Sequence, residues 1–247
     1  MKIKLFGKNL HDISALLEKY GFQDSGNSTP ELIVTYGGDG ALLGAVRDYP
    51  DIPKLPLRDA ATAPTCEMHP AKKVISDFIN GRSNRFELPI IKAVAPNGEI
   101  SGINDLVLHS TEYTSALRYR VFIDSELYAK EVFGDGICFA TPHGSTAYYR
   151  TITRGTFRVG LGLAFNNASE AVNHLVLSEK SVVTAEIFRG PAMLMADNDP
   201  RKIKVDAGES VKFFQSGKTA VIHGLDTFMC PECRKRRHHL RSLNEDE

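Results

Sequence analysis

The chain has 247 residues, of which 42% are hydrophobic and 24% charged, a composition that excludes a disordered protein. Its 30 basic and 30 acidic residues give a formal net charge of zero, which excludes a general electrostatic attraction to nucleic acid or to an anionic membrane. The sequence contains no run of about 18 apolar residues that would predict a membrane span, and its first residues lack a signal-peptide pattern. Its four cysteines are too few for a disulfide framework. We therefore expect a cytoplasmic protein that uses neither nucleic acid nor a membrane as a partner.

The first ninety residues alternate between strand patterns and helix patterns. Apolar or β-branched runs predict strands at 2–6, 31–36 and 52–57. Amphipathic spacing predicts helices at 11–20, directly after residue 40, and at 71–82. This alternation is typical of an α/β domain.

From Ile90 onward the pattern changes to short β-type runs separated by Gly, Asn, Asp or Pro, with a helical stretch expected only around 144–153. Such spacing predicts a β-rich second domain. The fold class predicted for the whole chain is therefore an α/β N-terminal domain plus a β-rich C-terminal domain. We place the α/β domain at 1–95, the β-rich domain at 96–228 and a C-terminal tail at 229–247.

The turn Gly37-Gly38-Asp39-Gly40 follows a predicted buried strand and precedes a predicted helix. Glycines permit a sharp turn and a close backbone approach to a ligand, and a helix N-terminus favours phosphate. Asp39 is unexpected in a pure phosphate cradle, because its charge repels phosphate, so it indicates a general base or a metal contact. The alternative is a tight turn in which Asp39 serves as the helix N-cap.

Two segments of the second domain also carry polar groups in apolar surroundings. Asn104 and Asp105 open an apolar strand, where neighbouring side chains point to opposite faces. The stretch 134–149, GDGICFATPHGSTAYY, combines hydroxyl side chains, small residues and two tyrosines that suit a nucleotide base and ribose. Taken singly, a pair such as Asn104-Asp105 is more often a turn that leads into a strand. The alternative for 134–149 is an ordinary strand–turn–helix junction in which Ser145 or Thr146 caps the helix.

Taken together and in this order, the segments resemble the NAD kinase family, whose identifying features are a GGDG turn, an Asn-Glu or Asn-Asp pair and a GDG…TPTGSTAY stretch. The likeness covers residues 31–151 well and extends more loosely to about residue 225. GGDG alone also occurs in lipid kinases, and GSTAY separates the two groups. The resemblance implies transfer of the γ-phosphoryl group of ATP, or of polyphosphate, to the 2′-hydroxyl of the adenosine ribose of NAD, which gives NADP.

The resemblance assigns roles in the first domain to the GGDG turn. Asp39 looks like the residue that activates the acceptor hydroxyl, and Gly37, Gly38 and Gly40 look like the backbone that holds the donor phosphates. It further implies Mg²⁺ supplied with ATP, and a homodimer or homotetramer.

In the second domain the resemblance indicates a dinucleotide pocket. The residues that it assigns to this pocket are Asn104, Asp105, Thr146, Ala147 and Tyr148. Asp135 resembles an acidic contact that a neighbouring subunit can supply, and Asp197 is assigned a similar role.

The chain also departs from the family pattern. Ala41 stands where the family usually has Thr, His143 interrupts TPTGSTAY, and Phe133 replaces an Arg before GDG. The segment 55–70, LPLRDAATAPTCEMHP, replaces the family's Asn-x-Gly…Leu-Gly-Phe, and the Gly-Gly-Pro after STAY is missing. These departures leave two alternatives open: a non-catalytic NAD(P)-binding module, and a kinase of this scaffold that acts on another nucleoside or on a lipid.

The tail contains Cys230-Pro-Glu-Cys233 followed by a basic run. Two thiolates at this spacing are how a zinc knuckle begins, so Cys230 and Cys233 are candidate Zn²⁺ ligands, with His238 or His239 as a third. No fourth ligand is evident from the sequence, and a solvated basic tail is the alternative interpretation. We interpret Cys66, Cys138 and the remaining histidines as structural residues.

Overall fold

The computed structural model describes residues 1–59, 61, 63, 65–112 and 114–236. The chain divides into two compact units: Met1–Leu88 together with the described residues from Ala220 onward, and Pro89–Thr219. Up to Leu88 the complete elements, in chain order, are β1 (Lys2–Gly7), α1 (His11–Lys19), β2 (Gln23–Asp24), β3 (Leu32–Gly37), α2 (Asp39–Asp48), β4 (Lys54–Arg58) and α3 (Ala71–Ile79).

The strands of the first unit form a parallel sheet in the order β2-β1-β3-β4. Strand β3 is buried along Leu32–Tyr36, as expected for a parallel strand that is covered on both faces. Its alternate residues share an apolar cluster with α1 and α3. In the β3–β4 register, Gly37 pairs with Arg58, so the carboxyl ends of these strands lie side by side.

The second unit contains most of the remaining strands and one short helix. In chain order the elements are β5 (Arg85–Ala95), β6 (Gly98–Gly102), β7 (Asp105–Ser110), β8 (Leu117–Ile123), β9 (Glu126–Gly134), β10 (Gly136–Ala140), a 3₁₀ turn (Gly144–Thr146), α4 (Tyr148–Thr153), β11 (Leu161–Asn166), β12 (Leu175–Leu177), β13 (Val183–Arg189), β14 (Ala192–Ala196), β15 (Ile203–Val205) and β16 (Ser210–His223). These strands and the short helix confirm the predicted β-rich domain with helical structure near residues 144–153.

Antiparallel pairing dominates the second unit. One sheet has six strands in the order β12-β11-β10-β7-β14-β15, and a second set pairs in the order β16-β13-β8-β9. Residues of both sets share one apolar core, in which the rings of Phe139 and Phe213 are 5.8 Å apart. The hydrophobic faces of the two sets are therefore buried against each other, as in a β-sandwich.

After β16 the chain forms α5 (Leu225–Phe228), and residues 231–236 are helical. Ile222 of β16 pairs in parallel with Lys54 of β4, and α5 packs on β4. This pairing explains why the observed units differ from the predicted division at 1–95 and 96–228: residues 220–228 belong to the first unit, and residues 89–95 to the second. Within the described part of the chain, no helix is both long enough and apolar enough to cross a membrane.

Candidate functional site

The GGDG turn connects β3 to α2. Gly37 has φ of 145°, a backbone conformation that residues with a Cβ rarely adopt. Gly38 is the N-cap of α2 and Asp39 is the first residue of the helix. The alternative in which Asp39 is the N-cap is therefore wrong, and its carboxylate is available for another role.

The carboxylate of Asp39 is exposed to solvent but held by a buried partner. The Asp39 side chain is 64% exposed, whereas that of Arg58 is only 5% exposed, and an Arg58 guanidinium nitrogen lies 3.0 Å from Asp39 Oδ1. The guanidinium also stacks 3.5 Å from the ring centroid of Phe228 and donates to the Phe228 carbonyl oxygen. The contacts with Phe228 position the Arg58 guanidinium, which offers one charged donor to the Asp39 carboxylate.

Sequence reasoning did not identify Arg58, which lies 19 residues after Asp39. The parallel register brings the two residues together, because Arg58 is paired with Gly37 at the end of β3. The strand predicted at 52–57 was one residue short of this position, and its place beside β3 is decided by sheet topology.

In the second unit, polar residues converge at one end of the six-stranded sheet. Asp105 at the start of β7 pairs with Ala140 at the end of β10, and Leu106 pairs with Ala196 at the end of β14. The segments adjoining these positions supply five polar residues, which we call the polar end. They are Asn104, Asp105, Thr141, Tyr148 and Asp197.

Asp197 organises the backbone of this region. Its carboxylate accepts hydrogen bonds from the backbone N–H groups of Ile103 at 2.9 Å, Asn104 at 2.9 Å and Asp105 at 3.1 Å. A Cβ atom at Gly102 would lie 2.6 Å from Asp197 Oδ1, so only glycine leaves room for the carboxylate. Burial raises the pKa of Asp197 against the opposing effect of these three hydrogen bonds.

Asp105 and Asn104 present buried acceptors beside Asp197. Asp105 is 7% exposed, and burial, reinforced by the charge of Asp197, raises the pKa of its carboxyl from 3.8 to about 7. The Tyr148 N–H group donates to Asp105 at 3.3 Å. Asn104 Oδ1 is buried and has no hydrogen-bond partner among the described residues. A buried acceptor without a hydrogen bond lowers the stability of the folded protein unless a ligand or water supplies the missing donor.

The GSTAY segment packs directly against Asn104. A Cβ atom at Gly144 would lie 1.9 Å from the Asn104 carbonyl oxygen, so glycine is required for this close approach. The Thr141 hydroxyl donates to the Ile103 carbonyl oxygen and accepts from the Gly144 N–H group. Thr146 is exposed and Ala147 is partly exposed. Thr141 and Gly144 thus build the turn, and Thr146 and Ala147 remain accessible to a ligand.

Asp135 does not join the polar end, because it precedes β10 whereas Ala140 ends that strand. Its carboxylate accepts from the Asn167 side-chain amide at 2.6 Å. The neighbouring Asn166 donates to the Tyr148 hydroxyl at 3.3 Å. Tyr148 therefore contacts two regions. Its backbone N–H group bonds to the polar end, and its hydroxyl bonds to the strand end near Asp135.

Cys230 and Cys233 lie together with Cys66 and His69 in the first unit, and the four ligand atoms are all within 4.8 Å of one another. Their interpretation as candidate metal ligands stays a prediction, and His238 and His239, the candidates for a third ligand, lie outside the described residues. Cys66 and His69 were interpreted as purely structural. Cys138 is buried in β10, as its apolar surroundings suggest.

Among the residues that the structure describes, this cysteine cluster is the only group of three or more His, Cys, Asp or Glu side chains arranged to hold a metal ion. The surroundings of Asp39 therefore contain no cluster of carboxylates within the described residues.

Comparison with known proteins agrees with the predicted resemblance, although no protein-family model matches the chain. The chain is 27% identical over 166 residues to an NAD kinase of Azotobacter vinelandii, and the match covers 60% of this chain and 56% of that protein. An NAD kinase of Marinomonas is 33% identical over 128 residues, or 48% of this chain and 43% of the relative. The chain thus matches about half the length of these curated relatives.

The fold agrees with that of solved NAD kinases. A structure of an NAD kinase from Archaeoglobus fulgidus in complex with ATP superposes with a TM-score of 0.72 at 15% identity, covering 95% of this chain and 99% of that chain. Yeast NADH kinase complexed with NADH gives a TM-score of 0.68 at 22% identity, covering 82% and 64%. These likenesses confirm the two-domain architecture. The chain is thus similar to NAD kinases in fold and, over about half of their length, in sequence.

Proposed function

We propose that this protein is an NAD kinase that transfers the γ-phosphoryl group of ATP, or of polyphosphate, to the 2′-hydroxyl of the adenosine ribose of NAD. The observation that carries the proposal is the polar end, where the buried Asn104 Oδ1 has no partner among the described residues and the next residue, Asp105, is also buried. The names of the relatives support the same activity.

The polar end suits the adenosine part of a dinucleotide. Adenine presents an exocyclic amino group and ribose presents hydroxyl groups, all of which donate hydrogen bonds. Asn104 Oδ1 and the carboxyl of Asp105 are acceptors in an environment with little water, where an unmatched ligand leaves them unpaired. We assign Asn104 and Asp105 to direct recognition, with Thr146, Ala147 and Tyr148 lining the pocket.

Asp197 and Asp135 receive different roles in this proposal. The oxygens of Asp197 already accept three backbone N–H groups, so Asp197 shapes the pocket by fixing the loop that carries Asn104. Asp135 is linked to Tyr148 through Asn166 and Asn167, and we assign it to a more distant part of the dinucleotide.

Asp39 is the proposed general base of the reaction. Its carboxylate accepts the proton of the ribose hydroxyl while the hydroxyl oxygen bonds to the γ-phosphorus and the bond from that phosphorus to the bridging oxygen breaks, which releases ADP. Arg58 holds the carboxylate in position. The backbone at Gly37, Gly38 and Gly40 and the N-terminus of α2 would hold the donor phosphates, and Mg²⁺ would enter with ATP and neutralise phosphate charge.

Two features of the proposal come from the family. Homodimeric or homotetrameric assembly and a cytoplasmic location are both expected of such an enzyme. Size-exclusion chromatography with light scattering measures the assembly directly.

The activity is tested by incubating the full chain with Mg²⁺, ATP and NAD and by measuring NADP through an NADP-specific dehydrogenase. Parallel reactions with polyphosphate and with NADH define the donor and the acceptor. NADP formation that depends on both substrates is the expected result. Binding of NAD without turnover would instead favour the NAD(P)-binding module.

A binding measurement tests the polar end separately from catalysis. Truncation in Asn104→Ala removes the buried acceptor, and we expect it to weaken NAD binding about ten-fold or more, equivalent to about 1.4 kcal/mol. Isothermal titration calorimetry measures the affinity. The control is Asn80→Ala, at an exposed amide of the first unit whose side chain bonds within its own helix end, and it should leave NAD affinity unchanged. Equal affinities of the wild type and Asn104→Ala would contradict the assignment.

A further inference from the structure

We propose that Cys66, His69, Cys230 and Cys233 bind one zinc ion in a closed, tetrahedral, structural site. The four residues belong to the first unit and come from two separate stretches of the chain. The proposal concerns metal binding alone, so it stands or falls independently of the kinase activity.

The distances between the ligand atoms match a tetrahedral zinc site. Zinc bonds to sulfur at about 2.3 Å and to nitrogen at about 2.0 Å, so adjacent sulfurs lie about 3.8 Å apart and a sulfur and a nitrogen about 3.5 Å apart. Cys66 Sγ and Cys233 Sγ are separated by 3.5 Å, and His69 Nδ1 is 3.3 Å from Cys66 Sγ and 3.7 Å from Cys233 Sγ. All four ligand atoms lie within 4.8 Å of one another. One ion at the centre can contact all four.

The same distances argue against a disulfide. A disulfide places its sulfurs about 2.05 Å apart, much closer than the 3.5 Å between Cys66 and Cys233. All four cysteines of the chain are free thiols. Three thiols and an imidazole directed at one point have the composition of a Cys₃His zinc site.

Burial and backbone hydrogen bonds fit a structural site. Cys66, Cys230 and Cys233 are 6%, 8% and 1% exposed, and His69 is partly exposed. The Cys66 N–H group donates to Cys233 Sγ at 3.2 Å, and the N–H groups of Glu232 and Cys233 donate to the Cys230 sulfur. Such bonds stabilise thiolate charge around a metal. With four protein ligands, no coordination position is left for a substrate, which is the arrangement of a structural zinc.

The local sequence supports the assignment. Cys230 and Cys233 form a C-x-x-C pair, and Cys66 and His69 are separated by the same two-residue interval in Cys66-Glu-Met-His69. Each pair therefore offers two ligands from one short turn, as zinc knuckles do. Cys66 and His69 lie within segment 55–70, where the chain departs from the NAD kinase pattern.

A zinc ion at this site would join the segment that follows Arg58 to the segment that follows Phe228. Cys66 lies eight residues after Arg58, and Cys230 lies two residues after Phe228. Arg58 stacks on Phe228 and donates to its carbonyl oxygen. The metal would thus hold together the two segments that position the Arg58 guanidinium, which in turn holds Asp39.

The experiment measures metal in the full chain purified from zinc-supplemented cells without chelator. We expect about one zinc ion per chain by elemental mass spectrometry. Cys66→Ser and the double variant Cys230→Ser/Cys233→Ser should each retain at least about ten-fold less zinc. Cys138→Ala removes the fourth cysteine, which is buried in β10, and should retain the full metal content.

A spectroscopic measurement on the wild type keeps the test independent of variant folding. Replacement of zinc by Co²⁺ should give thiolate-to-cobalt charge-transfer absorption and the intense visible bands of tetrahedral cobalt, and added Zn²⁺ should abolish both. The proposal is overturned if the wild type contains less than about one-tenth of a zinc ion per chain and shows no such bands. A native disulfide joining any two of the three cluster cysteines, detected by mass spectrometry of alkylated protein, would also overturn it.

Discussion

The GGDG turn of the first unit and the polar end of the second unit place the same residue type in opposite environments. Asp39 has a side chain that is 64% exposed and is held by one guanidinium. Asp105 is 7% exposed, and the carboxylate of Asp197 is surrounded by three backbone N–H groups. An exposed carboxylate with one charged donor leaves an oxygen accessible for proton transfer, whereas a carboxylate enclosed by N–H groups is suited to holding a loop in place.

This difference shows why an acidic residue in a motif does not define its own role. All three aspartates lie next to glycines or strand ends in the sequence. Their roles separate only when the surrounding donors are known. Substitutions that remove the charge but preserve the shape should therefore affect activity at Asp39 and stability at the polar end.

The largest effect is expected for Asp39→Asn. An amide cannot accept the ribose proton, and general-base assistance contributes about 10²–10⁴-fold, so kcat should fall by that factor. The variant should stay folded because the amide oxygen can still accept the hydrogen bond from the buried Arg58 guanidinium. Steady-state kinetics with NAD and MgATP, together with a thermal melt, measure both quantities.

Asp48→Asn is the matched control for Asp39→Asn, because Asp48 ends the same helix and pairs with Arg47 at the surface. It should keep the wild-type kcat. A folded Asp39→Asn variant with nearly unchanged kcat would refute the role of Asp39 as the base.

A smaller effect, on stability, is expected for Asp197→Asn. The amide NH₂ group must replace one of the two oxygens that now accept the N–H groups of Ile103, Asn104 and Asp105. At least one buried donor loses its partner, and we expect the free energy of unfolding to fall by about 1–3 kcal/mol. Urea denaturation measures the change.

Asp206→Asn, at an exposed carboxylate that pairs with Lys204, should stay within about 0.5 kcal/mol of wild type. A similarly small change for Asp197→Asn would mean that its three hydrogen bonds do not stabilise the loop.

The smallest expected effect is a change in the pH dependence of stability in the variant Asp105→Asn. Burial, with the charge of Asp197, raises the pKa of Asp105 from 3.8 to about 7, so between these values the folded protein keeps a proton that the unfolded chain has lost. Its stabilising contribution is complete below pH 3.8 and is lost as the pH rises through about 7. Asp105→Asn should therefore remove about 1–2 kcal/mol of the decrease in wild-type stability between about pH 5 and about pH 8. Denaturation at a series of pH values tests this expectation. Parallel pH profiles for wild type and variant would show that Asp105 keeps an ordinary pKa.

The sequence predicted more of the elements than of their contacts. The strand at 31–36 and the helix after Gly40 are readable because apolar runs and glycine turns are local signals. The partnership of Asp39 with Arg58 was not predicted, since it requires β3 and β4 to be parallel neighbours in one particular register. The third and fourth members of the cysteine cluster were missed for the same reason, although the Cys66-x-x-His69 spacing was a visible signal.

The sequence by itself determined the fold class, the glycine turn and the family motifs, because each depends on residues close together in the chain. Tertiary structure alone decided where the second unit begins and ends, since Ile222 returns to pair with Lys54 across a long sequence separation. It also decided that Asp39 is exposed and Asp105 is buried, because burial depends on which strands and loops cover a residue. The cysteine cluster likewise exists only in three dimensions, where segments more than 150 residues apart place four ligand atoms within 4.8 Å.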